Sequence, residues 1–190
     1  MISVFAALSL FTQKQFDYIT TIWIKIMLKN FFNYSIKIVL LGMFLIPVVQ
    51  ASDKMAPDFE LPTDSGKVNL SSLKNNVVYL DFWASWCGPC RKSFPWMNTM
   101  NNRYSDKGLK IIAVNLDKDR SLAKKFLKKI PADFTIAYDP EGDIAEKYNV
   151  QGMPSSYIID RQGRLVKVHM GFRSEDTSAL ENLLRITLEH

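Results

Sequence analysis

Cys87 and Cys90 are the two cysteines of this 190-residue chain, and two residues separate them, in Trp86-Cys87-Gly88-Pro89-Cys90-Arg91. The segment follows an apolar run, Val77 to Trp83, and leads into a stretch with helical spacing, so Cys87 is expected at a helix N-terminus. Unpaired N–H groups and the helix dipole favour an anion there. Such a setting lowers a cysteine pKa from about 8.5 to roughly 3.5–7.5, and the thiolate is the form that attacks a disulfide. Cys87 is therefore predicted to be the nucleophile. Cys90, one turn further on, is predicted to attack the mixed disulfide and release the reduced substrate. Gly88 permits close approach of a partner backbone, and Pro89 removes one donor and stiffens the turn.

Other uses of two thiols fit less well. A zinc site needs four ligands, of which one C-x-x-C pair supplies two, and His169 and His190 lie far away in sequence. A purely structural disulfide closing so short a loop would add little stability in the chain-entropy picture. The thiols could bind Cu(I) in a copper-delivery or assembly module. Met153 is one potential neighbour, but no Met-rich or His-rich cluster surrounds the motif. Peroxide reduction calls for a lone peroxidatic cysteine in its own pocket. A redox dithiol is the favoured reading, with no metal and no cofactor expected.

Several elements must position this pair. Val77-Val78-Tyr79-Leu80-Asp81-Phe82-Trp83 is β-branched, aromatic and almost continuously apolar, as in a central strand buried on both faces. Leu109 to Val114 and Ser156 to Ile159 read similarly. Helices are predicted over Cys90 to Tyr104, Ser121 to Lys129, Asp143 to Tyr148 and Ser174 to Leu188, the last opened by Ser174 with Glu175 and Asp176 in its first turn. Ile158 to Val166 places apolar runs on both sides of a Gly-containing turn and reads as a hairpin. A turn at Asp64-Ser65-Gly66 and a strand at Val68 to Leu70 predict a small N-terminal hairpin. Strands alternating with helices imply an α/β fold, and the hairpin makes its sheet mixed. Trp83 is expected in the core and Trp86 beside the site, with Phe94, Trp96, Met97 and Met100 packing their helix. Lys124, Lys125, Lys128 and Lys129 lie opposite Leu122, Phe126 and Leu127 and predict a solvated face. His169 falls in a strand-like run, structural or exposed.

With 47% hydrophobic and 23% charged residues, 8 Gly and 8 Pro, the chain is neither disordered nor collagenous nor disulfide-dense. Its net charge is +5, but residues 1–51 hold four of the 24 Lys and Arg and one of the 19 acids, leaving +2 on the remainder. That is too weak for a nucleic-acid footprint. From Met27 the sequence reads as a signal peptide over residues 27–51: Lys29 and Lys37, an apolar run from Ile38 to Val49, then Val49-Gln50-Ala51. The 12-residue run would span about 18 Å as a helix, against the roughly 30 Å of a bilayer core, so cleavage is favoured over anchoring. Residues 1–26 do not fit in front of such a leader, and translation is expected to start at Met27. Residues 52–190 then read as one exported domain, periplasmic or otherwise extracytoplasmic, in an oxidising space where thiols stay reduced only if a donor keeps reducing them.

Asp81-Phe82-Trp83-Ala84-Ser85-Trp86-Cys87-Gly88-Pro89-Cys90, continued by Arg91-Lys92-Ser93-Phe94-Pro95, resembles the thioredoxin active-site segment. Ala56-Pro57-Asp58-Phe59-Glu60-Leu61, Ile112-Ala113-Val114-Asn115, and Gly152 to Asp160 with Gly163 are similar to the exported TlpA/ResA-like branch of that family. The resemblance covers residues 55–188. It implies a thioredoxin fold: a central mixed sheet flanked by helices, extra N-terminal strands, and a helix–strand insertion near residues 117–140. It also implies that Pro154, after Met153, is the cis-proline that presents backbone to an extended substrate, and that Asp81 exchanges a proton with Cys90. Trp86, Gly88, Pro89, Met153 and Pro154 would then form the substrate-binding rim. Many members of the branch carry a glutamate three residues after the second cysteine, where this chain has Ser93. The Gly-Pro pair is the dipeptide of reducing thioredoxins. The resemblance thus implies a reductant of disulfides in exported proteins, with apocytochrome c or copper-site proteins as candidate substrates, re-reduced by a membrane thiol–disulfide donor. An oxidant or isomerase of the same fold is the alternative.

Overall fold

Every residue of Val77–Trp83 is buried, which places this strand in the middle of the molecule. In the computed structural model, which describes residues 54–190 together with Lys25 and residues 27–29, it is the third strand, β3. Before it, β1 (Glu60–Pro62) and β2 (Lys67–Asn69) form an antiparallel hairpin. After it come α1 (Cys90–Tyr104), β4 (Leu109–Asn115), α2 (Arg120–Lys129), β5 (Thr135–Tyr138), α3 (Asp143–Lys147), β6 (Ser155–Ile159), β7 (Leu165–Met170) and α4 (Thr177–Glu189). The predicted leader lies outside the described residues, apart from residues 27–29, which like Lys25 are helical. Among the described residues no helix is long and apolar enough to cross a membrane.

The main sheet has the order β5-β4-β3-β6-β7. β4 runs parallel to β3 from Val77↔Leu109 to Trp83↔Asn115, whereas β6 runs antiparallel, with Asp81 opposite Ser156. The sheet is mixed, in the thioredoxin fold, with α2 and β5 as the helix–strand insertion. Side chains alternate across β3. Val77, Tyr79 and Trp83 enter one core with Phe94, Met97 and Met100 of α1, Phe126 of α2 and Leu184 of α4. Val78, Leu80 and Phe82 enter the other with Phe59, Leu61, Ile144 and Tyr148. The end of β3 is fixed by a trio of rings, with Trp83 centred 4.8 Å from Phe94 and 4.7 Å from Phe126. Each such pair contributes roughly 0.5–1.5 kcal/mol beyond its buried area. The strand end, the start of α1 and the insertion therefore pack as one body.

Several boundaries differ from the sequence expectation, most by a single residue. β2 ends at Asn69, because the Asn69 side chain accepts from Ser71 N at 2.8 Å and draws Leu70–Leu73 into a 3-10 turn. The last helix begins at Thr177 instead of Ser174. Ser174–Asp176 is a separate 3-10 turn, in which Thr177 Oγ1 donates to Ser174 O at 2.7 Å and Arg173 Nε to Asp176 Oδ2 at 3.0 Å. The third helix ends at Lys147, with Tyr148 as its cap. The β6–β7 turn matches its prediction: Asp160 Oδ1 accepts from Gln162 N and Arg164 N, and Gly163 takes φ 85°, a conformation that glycine adopts without strain.

Candidate active site

The loop joining β3 to α1 carries both cysteines, and their sulfurs form a disulfide with the Cα atoms 5.3 Å apart. α1 begins at Cys90 with Pro89 as its cap, a residue that offers no side-chain acceptor to the free N–H groups of the first turn. A sulfur takes that place: Cys90 N donates to Cys87 Sγ at 3.2 Å. The helix N-terminus thus acts on Cys87 through a direct contact, the physical basis for stabilising a thiolate there. Cys90 is fully buried, while Cys87 keeps 4% of its surface exposed. The rim around this opening is exposed at Gly88, Pro89 and above all Trp86, which is 70% accessible.

The predicted residues converge. Met153 is half-buried against the apolar cluster that contains Cys87 and Cys90, and the Met153–Pro154 bond is cis. Pro154 O accepts from Gly171 N at 2.7 Å, which ties this loop to the end of β7. Asp81 lies on the same face of β3 as Tyr79 and Trp83, facing the cysteine side, and is completely buried. Burial pushes its carboxyl up to about 7, against the opposing effect of Ser156, whose Oγ donates to Asp81 Oδ1 at 2.6 Å. Asp81 Oδ2 has no hydrogen-bond partner among the described residues. Burial raises the Tyr79 phenol as well, and the charge of Asp81 adds to that. A carboxyl poised near neutrality in an apolar setting suits proton exchange. Ser93, which stands where many members of the branch have glutamate, is buried and donates from Oγ to Cys90 O at 3.1 Å.

Sequence reasoning assigned no role to a second buried carboxylate. Asp117 Oδ2 accepts from Ser85 N at 2.9 Å and from Asn115 Nδ2 at 2.8 Å, while Asp117 Oδ1 accepts from Ser85 Oγ at 2.9 Å. Ser85 is two residues ahead of Cys87, and Cys87 N donates to Ala84 O at 3.0 Å, so Asp117 fastens the loop that presents the nucleophile to the end of β4. Ser156, the partner of Asp81, also escaped prediction. The available signal was polar residues closing buried strands, Asn115-x-Asp117 after β4 and Ser155-Ser156 opening β6. A cavity of about 190 Å³ adjoins the loop at Ser85 and Arg91. A larger one, about 680 Å³, is lined by residues such as Thr63, Asn101 and Phe134 and touches none of the site residues.

The sequence matches the Redoxin family over residues 50–184. It is 35% identical over 124 residues to the thiol-disulfide oxidoreductase ResA of Bacillus thuringiensis subsp. konkukian, covering 65% of this chain and 72% of that one. ResA of Bacillus subtilis is 34% identical over 121 residues, covering 63% and 68% respectively. Among solved structures, a Chlorobium tepidum protein provisionally named as the thiol:disulfide interchange protein DsbE superposes with a TM-score of 0.70 at 52% identity, over 72% of this chain and 96% of that one.

Proposed function

The chain belongs to the Redoxin family, among its ResA-like thiol–disulfide oxidoreductases, and on that premise we propose that it works outside the cytoplasm as a reductant of disulfides in other exported proteins. Its enzymatic activity is thiol–disulfide oxidoreduction. The observation that carries the assignment of roles is the first-turn N–H of α1 donating to Cys87 Sγ, with Cys87 the less deeply buried of the two cysteines.

In the reduced protein the Cys87 thiolate attacks one sulfur of the substrate disulfide. A Cys87–substrate bond forms, the substrate S–S bond breaks, and the departing thiolate takes a proton from water. The Cys90 thiol then passes its proton to Asp81 and attacks Cys87 Sγ. The mixed disulfide breaks, the second substrate sulfur leaves as a thiolate that takes a proton from water, and the Cys87–Cys90 disulfide is formed. Two electrons pass to the substrate in each cycle, and a membrane thiol–disulfide donor returns them. The exposed Trp86, Gly88 and Pro89 and the Met153-Pro154 backbone contact the extended substrate. The apparent leader over residues 27–51 supports the extracytoplasmic site of action, and apocytochrome c or copper-site proteins are the proposed substrates.

The test is a trap. Cys90→Ser in the full chain, reduced and mixed with an oxidised protein substrate, should accumulate a mixed disulfide on Cys87 that mass spectrometry locates. Cys87→Ser should accumulate none. A stable adduct on Cys90 in the Cys87→Ser variant, formed as fast as the Cys87 adduct, would reverse the roles.

A further inference from the structure

Charge in this protein is segregated. Residues 52–190 hold 20 Lys and Arg against 18 Asp and Glu, and α2 supplies five of those cations and no acid, so the rest is net negative by three. Arg120 is already engaged: its guanidinium lies 3.6 Å from the Tyr138 ring centre and bonds Asp64 at 2.6 Å. The other four, Lys124, Lys125, Lys128 and Lys129, are exposed and form no ion pair among the described residues. The neighbouring acid, Asp119, caps the helix, accepting from Ser121 N and Oγ at 2.8 and 2.7 Å, and its charge also acts on Lys125 without an ion pair between them. Attraction to the C-terminal end of the helix dipole accounts for Lys128 and Lys129 in part, and the charge of Asp119 accounts for Lys125 in part.

Two of these lysines do more than cover a solvated face. Lys125 and Lys129 line the cavity of about 190 Å³ beside the redox loop, together with Arg91, Ser85, Leu122 and Phe126. Arg91 directly follows Cys90, and Ser85 sits two residues before Cys87. The cavity therefore has three cations on its walls, no acid in its lining, and an apolar floor where Phe126 backs onto the ring trio of Trp83 and Phe94. Like charges brought together at a concave surface repel one another until an anion joins them, and they attract that anion at encounter.

We propose that this cavity is a substrate-selecting subsite: it seats an acidic and apolar stretch of the polypeptide whose disulfide is presented to Cys87. Carboxylates of the partner lie against Arg91, Lys125 and Lys129, and an apolar side chain rests on Phe126. The subsite rests on the reading of Cys87 as the attacking sulfur and adds to it a class of preferred partner. Arg91 is suited to a bidentate grip on a carboxylate, whereas the two lysines act as mobile point charges.

The test compares two synthetic peptides, each closed by one disulfide and identical except that a flank carries Glu-Glu-Leu in one and Lys-Lys-Leu in the other. With the reduced full chain at low ionic strength, the acidic peptide should react on the order of tenfold faster, within the range known for steered association. In about 1 M salt, where the screening length falls to about 3 Å, the ratio should approach one. Lys125→Glu/Lys129→Glu should abolish or invert the preference. Lys124→Glu/Lys128→Glu, an equal charge change outside the cavity, should keep most of it. Wild-type rates within twofold of each other would overturn the proposal, as would an equal loss in both double variants. So would binding of the chain to phosphatidylglycerol vesicles with no peptide preference. The ratio is also measured with the oxidised chain and the reduced peptides. A protein that runs in the oxidising direction, or one that still reacts after Cys87→Ser, would then refute the proposed function while the charge preference is scored separately.

Discussion

Replacing Asp81 by Asn should make the folded protein more stable above neutral pH and a slower oxidoreductase. Burial raises this carboxyl from 3.8 to about 7. Between those two values the unfolded chain has lost the proton and the folded chain still holds it, so the native state binds more protons and stability falls as pH rises. At 1.36 kcal/mol per pH unit the full interval amounts to ~4 kcal/mol, present below about pH 4 and gone by about pH 8. Asn titrates nowhere in this range. Its Oδ1 can still accept from Ser156, and its amide replaces the protonated oxygen at the unpartnered Oδ2 position, so the two proteins should be nearly equal in stability at pH 4. Urea unfolding of both, with the disulfide intact, gives the difference directly, since Tyr79, the group that feels the Asp81 charge, keeps its proton between pH 4 and 8. With m of about 2 kcal/mol/M the variant's midpoint should rise by roughly 2 M at pH 8. The same variant should release the mixed disulfide more slowly, for want of a proton acceptor for Cys90. A stability difference that stays flat from pH 4 to 8, or in which the wild type gains on the variant as pH rises, would refute the account of a carboxyl kept protonated by burial.

Removing the Ser156 hydroxyl (Ser156→Ala) deletes the interaction that opposes burial, so the Asp81 carboxyl should titrate above 7, as read from its infrared or NMR signal; an unchanged or lower value would contradict the cause assigned here. Asp117→Ala leaves Ser85 N, Ser85 Oγ and Asn115 Nδ2 without their acceptor and should cost on the order of 1–3 kcal/mol or more in urea unfolding. Loosening the loop should also slow attack by Cys87 in single-turnover exchange. Unaltered exchange kinetics would show that Asp117 stabilises the fold without positioning the nucleophile. Phe94→Ala, which empties the centre of the ring trio beside α1, should cost about 3–5 kcal/mol.

The parts of this protein legible in its sequence are those coded by neighbours along the chain. Val77 to Trp83 declares a buried central strand by being apolar throughout, and Cys87-Gly-Pro-Cys90 declares redox chemistry because two thiols at that spacing on one helix end suit little else. Asp81 was legible only through the resemblance of its segment to that of thioredoxins. The loop clamp was hidden for a geometric reason. Ser85 and Asp117 are 32 residues apart, and only the parallel pairing of β3 with β4 lays the end of one strand beside the end of the other. Ser156 is 75 residues from Asp81 and meets it through the antiparallel register of β6. The lysines of α2 looked like a solvated face because helical spacing reports which residues share a side and not what that side adjoins. Lys125 and Lys129 gain their significance from Arg91, which arrives from another helix. The shifted boundaries of β2 and α4 have a local origin, side chains such as Asn69 and Thr177 bonding to nearby backbone in competition with the regular element.

The direction of electron flow is the central claim, and the reduction potential of the Cys87–Cys90 couple tests it most directly. Equilibrating the protein with a dithiol buffer of graded poise, and counting free thiols at each point, gives the value. A reductant served by a membrane donor should lie near thioredoxin's, about −270 mV, whereas a value between roughly −180 and −120 mV would contradict the reading and make the protein an isomerase or an oxidant.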